Sequence, residues 1–355
     1  MKKIVISSMR DGAGKTSIIA GIISLIKDKK FAYIKPLGDR LIYRRKKSWD
    51  YDASLIVKLL GREGELESRF EKITLGFDQS KIRYMYDEEG IKKALFDMVK
   101  EIGTGNDILF SEGGRDLFFG AWENLDSISV AKYLDAKLVM VLSGNRDTIL
   151  DDIKFIDKYL DVKGENFGGI IINKVHEIDE FEEIFVPEIK KMGIEILGLI
   201  PYKEQLTYFT VDFLAEKLLA KVLAGEENLK NIVKNFIVGA MSTSEPHKNP
   251  LFTLPSLNRE DQLVITGGDR SDMILAALER DTACIIITND IMPPQHVISK
   301  VMERKVPLLL VSMDTFQTVK KVDDMEALLT KDNDVKLNLL AHLIEKHTRI
   351  NDLLD

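Results

Sequence analysis

Ser7-Ser8-Met9-Arg10-Asp11-Gly12-Ala13-Gly14-Lys15-Thr16 follows the apolar run Ile4-Val5-Ile6 and leads into Ser17-Ile18-Ile19-Ala20-Gly21-Ile22-Ile23-Ser24-Leu25-Ile26, a segment of helical length and periodicity. Strand, glycine-bearing turn, Gly-Lys-Thr and helix is the arrangement that cradles a nucleoside triphosphate. A helix start offers unpaired backbone N–H groups and the positive end of a dipole to phosphates. Gly12 and Gly14 let the backbone approach closely, Lys15 reaches the outer phosphates, and the Thr16 hydroxyl can ligate Mg²⁺. The usual motif has a glycine five residues before Gly14, where this chain has Met9.

The 355 residues leave room for two domains with separate cores. A formal net charge of −7 argues against general nucleic-acid binding. The basic run Arg44-Arg45-Lys46-Lys47 is either a solvated loop or a loop near the triphosphate or an anionic substrate. Cys284 is the only cysteine, so no internal disulfide can form and a cytoplasmic setting is expected. It sits in the apolar run Ala283–Ile287 and reads as a buried hydrophobe rather than a nucleophile. The five histidines lack metal-ligand spacing, and no apolar run approaches membrane-spanning length. No membrane or nucleic-acid partner is expected.

Apolar strand-like runs alternate with helix-length amphipathic segments, which argues for an α/β protein with a mostly parallel sheet and helices on both faces. In the first half the expected strands are Ile4–Ser7, Phe31–Ile34, Asp107–Phe110, Leu138–Leu142, Gly169–Ile172 and Ile194–Leu199. The expected helices there include Tyr51–Leu60, Glu88–Glu101, Ile128–Leu134, Ile149–Leu160 and Glu180–Met192, with another from Val211 to about Leu223. The polar Gly225-Glu226-Glu227-Asn228 marks the expected division, giving domains of residues 1–224 and 225–355. The second part repeats strand, loop and helix three times and reads as a smaller three-layer α/β domain. Its loops gather at the strand C-terminal edge, where such sheets bind ligands. The apolar positions from Val335 to Leu354 have helical spacing and suit docking onto a domain or a partner subunit.

Glu112 ends an apolar run and precedes Gly113-Gly114, so it can reach Mg²⁺ directly or through water. Asp52 begins a helical stretch and is either a further carboxylate of the site or a helix cap. Lys35 closes the second strand where a transferred phosphoryl group or an anionic acceptor would sit, and Asn173 closes another strand with an amide able to pair with adenine. In the second domain, Gly267, Gly268, Asp269 and Arg270 form a turn presenting N–H groups to a ligand. The alternative is structural: Asp269 caps the next helix and Arg270 pairs with a nearby acid.

With these residues assembled, residues from Met1 to about Leu223 resemble dethiobiotin synthetase and the wider group of cobyrinic acid diamide synthases. The shared landmarks are Gly14-Lys15-Thr16, Tyr33-Ile34-Lys35-Pro36, Asp52, Ser111-Glu112-Gly113-Gly114, Ile171-Ile172-Asn173-Lys174 and Leu199-Ile200-Pro201. The resemblance implies ATP and Mg²⁺ as cofactors. Arg10, Asp11, Gly12, Ala13, Gly14, Lys15, Thr16 and Ser17 would bind the nucleotide together with Asn173 and Pro201. Thr16, Asp52 and Glu112 would hold Mg²⁺, and Lys15 and Lys35 would be the catalytic cations, Lys35 facing the acceptor. The loop also looks like that of the MinD and ParA ATPases, where a lysine standing in the place of Arg10 reaches across a dimer interface. Residues from about Ile237 to Met325 resemble the DRTGG domain through Val238–Ser242, Ile265–Asp272 and Asp314-Thr315. The family's second landmark, Thr-Gly-Gly, reads Thr288-Asn289-Asp290 here. The candidate ligand residues of this domain are thus Gly267, Gly268, Asp269, Arg270, Thr288 and Asp314. The same pair of domains forms the non-catalytic N-terminal part of long phosphotransacetylases.

Three functions stay open on this reading. One is a nucleotide-responsive regulatory protein whose second domain senses a small molecule or nucleotide. Another is an ATP-dependent ligase working through an acyl phosphate, and the third is a ParA/MinD-like switch. A homodimer is the expected assembly, from the resemblance and from the frequency of C₂ symmetry.

Overall fold

The computed structural model describes residues 1–44, 47–64, 72–162, 164–239 and 261–354. The first part runs β1 (Lys2–Ser8), α1 (Lys15–Leu25), β2 (Phe31–Ile34), a hairpin of β3 (Leu41–Arg44) and β4 (Lys47–Asp50), α2 (Tyr51–Leu59), α3 (Gln79–Met85) and α4 (Glu88–Gly103). It continues through β5 (Ile108–Glu112), α5 (Ser127–Leu134), β6 (Lys137–Leu142), α6 (Arg146–Tyr159), β7 (Phe167–Val175), α7 (Ile178–Ile184), α8 (Val186–Lys191) and β8 (Ile196–Pro201). Six strands form one sheet in the order β2-β5-β1-β6-β7-β8, and every pairing is parallel. All six were legible as apolar runs, because strands covered on both faces carry no polar alternation.

Side chains alternate across the sheet. Val5, Leu109, Met140 and Ile170 enter a core with Leu95 of α4, Val130 of α5 and Ile153 of α6. Ile4 and Ile6, equally buried, face the opposite side, where α1 and α2 pack. Each helix begins with a side chain that accepts from a first-turn N–H where the chain supplies one. Asp50 caps α2, Asp87 caps α4, Asp126 caps α5 and Asn145 caps α6.

The second part comprises β9 (Phe209–Thr210), α9 (Val211–Leu218), β10 (Lys221–Ala224), β11 (Ile232–Val233), β12 (Asn235–Val238), β13 (Gln262–Gly267), α10 (Ser271–Leu278), β14 (Thr282–Thr288), α11 (Gln295–Arg304), β15 (Leu308–Leu310) and α12 (Thr315–Asp323). Its sheet has the order β10-β15-β14-β13-β12, antiparallel only between β10 and β15. Leu263, Ile265, Cys284 and Ile286 pack on α9 and α12, while Val264, Ile285 and Ile287 pack on α10 and α11. This is the expected three-layer domain. Two further helices, α13 (Asp334–His347) and α14 (Ile350–Leu354), end the chain.

The compact units differ from the expected division. One comprises Met1–Lys203 together with Leu329–Asp355, and the other Glu204–Leu328. Val211, Leu214 and Leu218 of α9 belong to the second core, and the segment around Gly225 is a turn inside that unit. The last segment belongs to the first unit because α13 lies against α1. A Cβ at Gly21 would come within 2.9 Å of Ile344 and 3.3 Å of the Leu340 carbonyl, so glycine permits the close approach. The Arg349 N–H then donates to the Leu197 carbonyl at 2.7 Å, tying the segment to β8.

Other expectations shift locally. The helix read to Leu223 stops at Leu218, because Leu219 turns left-handed (φ 53°) and Lys221–Ala224 pairs as a strand. The helix read over Glu180–Met192 is two helices joined at Phe185, with Pro187 in the first turn of the second. Residues 45 and 46 of the basic run and residues 240–242 of the DRTGG landmark lie outside the described residues. Among the described residues, no helix is long and apolar enough to cross a membrane.

Candidate functional site

The phosphate loop joins β1 to α1 at the C-terminal edge of the sheet. Gly12 (φ 70°) and Gly14 (φ 98°) occupy the left-handed region. Gly14 has a second constraint, since a Cβ there would stand 2.5 Å from the Asn173 side-chain nitrogen. The end of β7 supports the loop from beneath. Asn173 Nδ2 donates to the Ala13 carbonyl at 2.9 Å, and Lys174 Nζ donates to that of Gly12 at 2.7 Å. Asp11 Oδ1 accepts the Gly12 N–H at 2.7 Å. Ser17 lies in the first turn of α1, and Pro201 pairs with Val175 at the end of β8.

Lys15 is folded inward. Its ammonium donates to Ser8 Oγ at 2.8 Å and to the Arg115 carbonyl at 3.3 Å, in the loop that follows β5. Burial, with the charge of Lys35 adding to it, holds the Lys15 pKa below the usual lysine value, although Glu112 opposes the shift.

Thr16, Asp52 and Glu112 come together beside it. Thr16 Oγ1 donates to Glu112 Oε1 at 2.7 Å, and the Tyr33 hydroxyl donates to Oε2 at 2.8 Å. Glu112 is 1% exposed, so it is not a solvated loop acid. Burial pushes its pKa up to about 7, with the charge of Asp52 adding to the shift against the pull of Lys35 and Lys15. Asp52 ends up below the usual carboxylate range: burial acts to raise it, but Lys35, Arg40 and the Thr16 hydroxyl favour its ionised form. The cap of α2 is Asp50, which accepts from Ala53 N at 2.9 Å, so Asp52 is spared for the site. Two carboxylates and a hydroxyl form an all-oxygen donor set, the chemistry that Mg²⁺ requires.

Lys35, expected to face an acceptor, sits in a cage of acids. Its ammonium lies 2.6 Å from Asp39, 2.8 Å from Asp52 and 3.2 Å from Asp50, and the side chain is 1% exposed. Burial disfavours this ammonium, but Glu112 and the three aspartates together raise its pKa above the usual lysine value. Asp50 also accepts the N–H groups of Asp39 and Arg40, so one buried carboxylate fixes the loop after β2, the hairpin and the start of α2. Arg10 makes a two-pronged pair with Asp152 of α6 at 2.9 and 3.1 Å.

In the second unit most of the candidate residues serve the fold. Asp314 caps α12 by accepting from Gln317 N at 2.7 Å. Thr288 is buried and its hydroxyl meets that of Thr315 at 2.9 Å. Asn289 and Asp290 take the left-handed conformation that glycines would adopt there, and their N–H groups donate to the Met313 and Val311 carbonyls. Arg270 forks onto Asp272 at 2.9 and 3.0 Å. Gly268 is required sterically, since a Cβ there would stand 1.6 Å from the Ile291 carbonyl oxygen. Asp269 does not cap α10, whose N-cap is Arg270 without a side-chain bond.

Sequence reasoning missed Ser8, Tyr33, Asp39, Asp50 and Asp152 as partners of the site. Asp39 stands four residues after Lys35, a spacing that signals a charge pair only once a helix or turn is known. Asp152 lies on α6, remote in sequence, and no local pattern reveals it.

This fold and site define a P-loop-type domain joined to a smaller α/β domain. A family model described as an AAA domain matches residues 2–209, and the chain belongs to that family. A DRTGG domain model matches residues 213–325, which lie within the second compact unit. Phosphate acetyltransferases of Nitratidesulfovibrio vulgaris and of Synechocystis are each 25% identical to it, covering 99% of this chain and 51% of theirs. The chain thus spans about half the length of these curated relatives. A cobyrinate a,c-diamide synthase of Listeria innocua is 24% identical over 57% of this chain and 40% of its own. Among solved structures, MinD of Aquifex aeolicus is 18% identical with a TM-score of 0.35, covering 58% of this chain and 84% of that one. The CBS and DRTGG region of a Clostridium perfringens pyrophosphatase, complexed with diadenosine tetraphosphate, is 20% identical with a TM-score of 0.28, covering 38% and 60%.

Proposed function

We propose that the chain is a nucleotide-responsive regulatory protein that binds ATP with Mg²⁺ in its first unit and hydrolyses it slowly. The observation that carries this reading is the state of Lys35. A cation held by three carboxylates positions Asp52; it is not presented to an anionic acceptor, as phosphoryl transfer to a small substrate requires. Lys15, by contrast, has only neutral oxygen partners and can exchange them for phosphate oxygens. Bound Mg²⁺ would neutralise phosphate charge, held by Thr16, Asp52 and Glu112. Glu112 would then release any proton it carries, and Tyr33 would keep one of its oxygens oriented.

Withdrawal of Lys15 from the Arg115 carbonyl frees one end of the loop after β5, which gives the protein a route from nucleotide occupancy to surface shape. The relation to phosphate acetyltransferases supports a regulatory rather than an acetyl-transferring role, by way of the non-catalytic region that the sequence resembles. A homodimer in the cytoplasm is part of the proposal. ATP binding and turnover by the purified protein with Mg²⁺, with Lys15→Ala as control and a panel of small carboxylates and diamines, tests it. Tight binding with slow, acceptor-indifferent hydrolysis is the expected result. Turnover that rises sharply with one acceptor and vanishes in Lys15→Ala would overturn it in favour of a ligase.

A further inference from the structure

Among the described residues, four buried side-chain oxygens have no hydrogen-bond partner: Ser7 Oγ, Ser111 Oγ, Glu123 Oε2 and Ser127 Oγ. All four gather at one segment, residues 113–126, which joins β5 to α5. Ser111 and Ser127 flank it and Glu123 lies in it. Ser7 faces it from β1: a Cβ at Gly113 would stand 3.4 Å from Ser7 Oγ and 2.2 Å from Ser127 Oγ. A buried oxygen without a partner has lost its hydration with nothing in return, so this segment closes at a cost. Its tie to the phosphate loop is narrow. The Arg115 carbonyl accepts from Lys15 Nζ at 3.3 Å and has Ser8 Oγ at 3.4 Å. The Ser8 hydroxyl has one proton, and the Arg10 carbonyl lies nearer to it at 2.7 Å, which leaves Lys15 as the pin. Leu117 and Leu125 enter the core, and Glu123 pairs through its other oxygen with Arg83 of α3. Phe118 and Trp122 are exposed, and Phe118 meets the Phe155 ring of α6 edge-on at 6.4 Å.

We infer that residues 113–126 form a strap that stays closed while Lys15 holds the Arg115 carbonyl and opens when a phosphate draws that ammonium away. The inference rests on the nucleotide reading for its trigger, though not for its pin. Phosphate oxygens carry charge and the carbonyl does not, so Lys15 exchanges a weaker acceptor for stronger ones. With the pin gone, nothing offsets the unpartnered oxygens, and opening returns water to them. These opposed contributions keep the closed and open positions close in free energy, which a two-state element requires. Gly113-Gly114 supplies the hinge at the β5 end. Opening draws Phe118 off Phe155 and moves Trp122, so the surface offered to a partner changes with occupancy of the phosphate loop.

The test is hydrogen exchange of the full chain, read by mass spectrometry on peptides covering 117–125, where the Ala121, Glu123 and Leu125 N–H groups are bonded inside the strap. ATP with Mg²⁺ should accelerate exchange there about tenfold, the equivalent of one hydrogen bond to a charged group. Exchange in Gln295–Arg304 of the second unit should stay unchanged. Lys15→Met should accelerate the strap in the same way with no nucleotide present. Ser127→Ala removes an unpartnered oxygen, so it should slow exchange and raise the melting midpoint of the first unit by about 2–4 °C. Exchange in Lys15→Met equal to that of the wild type would overturn the pin. A lowered midpoint in Ser127→Ala would overturn the cost that works against it. Unchanged or slower exchange with ATP bound, as calorimetry reports, would overturn the opening itself. If calorimetry finds no ATP bound, the nucleotide reading fails and the trigger with it, while Lys15→Met still decides the pin. Should Lys15→Met not fold, the ATP and Ser127→Ala measurements decide.

Discussion

Replacing Lys35 by Met is the perturbation that the structure resolves most sharply. The methionine fills similar volume but removes the cation that Asp39, Asp50 and Asp52 share. Those carboxylates have oxygens within 4.8 Å of one another, and Asp50 is wholly buried. Removing one partner of a buried ion pair typically costs about 3–5 kcal/mol, because the other charge is left uncompensated. Three acids share the loss, so the upper part of that range is expected at neutral pH.

The sign of the pH dependence follows. Burial already raises the Asp50 pKa against the pull of Lys35, and without the ammonium it stands further above its unfolded value, so the folded variant binds extra protons and its deficit shrinks as pH falls from 7 toward the unfolded carboxylate range. A divalent cation should also restore part of the loss, since the empty cage is an oxygen-only cluster. Urea unfolding followed by tryptophan fluorescence at pH 7.5 and 5.5 measures this, because Trp49 and Trp122, the only two tryptophans, both lie in the first unit. A loss below about 1 kcal/mol at pH 7.5, the level of a surface pair, would refute the structural role assigned to Lys35.

Lys15→Ala should weaken ATP binding by about ten- to hundredfold, the equivalent of one charged hydrogen-bond set, and isothermal titration calorimetry reads this directly. Cys284 is fully buried and burial pushes its thiol pKa far up, so the native protein should resist a thiol-specific disulfide reagent at pH 8 and react fully once unfolded. The unfolded thiol ionises near pH 8.5 whereas the folded one stays protonated, so this group withdraws stability as pH rises above that value. Gly268→Ala should destabilise the second unit by about 3 kcal/mol through the clash with the Ile291 carbonyl, visible as an earlier calorimetric transition. Gly21→Leu should loosen α13 from α1, and accelerated hydrogen exchange in Leu337–Ile344 would show it.

The parts of the fold that were legible share a physical cause. Strands covered on both faces announce themselves as apolar runs, and the turn from β1 to α1 needs glycines wherever the backbone goes left-handed. The three proposed metal ligands stand at element boundaries, Thr16 and Asp52 in the first turns of α1 and α2 and Glu112 at the close of β5. What escaped was set by distance. The docking of α13 depends on the absence of a side chain at Gly21, more than 300 residues earlier, and a glycine inside a helical pattern reads only as a weak position. The boundary near residue 204 escaped because Lys221–Ala224 joins a sheet edge supplied by Leu308–Leu310, and nothing local distinguishes it from the end of α9. The caging of Lys35 escaped for the same reason: the hairpin that delivers Asp50 is a tertiary event, invisible in a run of charged and aromatic residues.

The return of the last segment to the first unit has a consequence for synthesis. On the ribosome, β1 to β8 emerge long before the helix that covers α1, and the whole second unit is made in between. The first unit therefore waits, with the Gly21 face of α1 uncovered, until Leu337, Leu340, Leu343 and Ile344 have left the exit tunnel. The smaller unit, all of whose residues precede Leu329, is complete on the chain before the last segment of the first unit has been made.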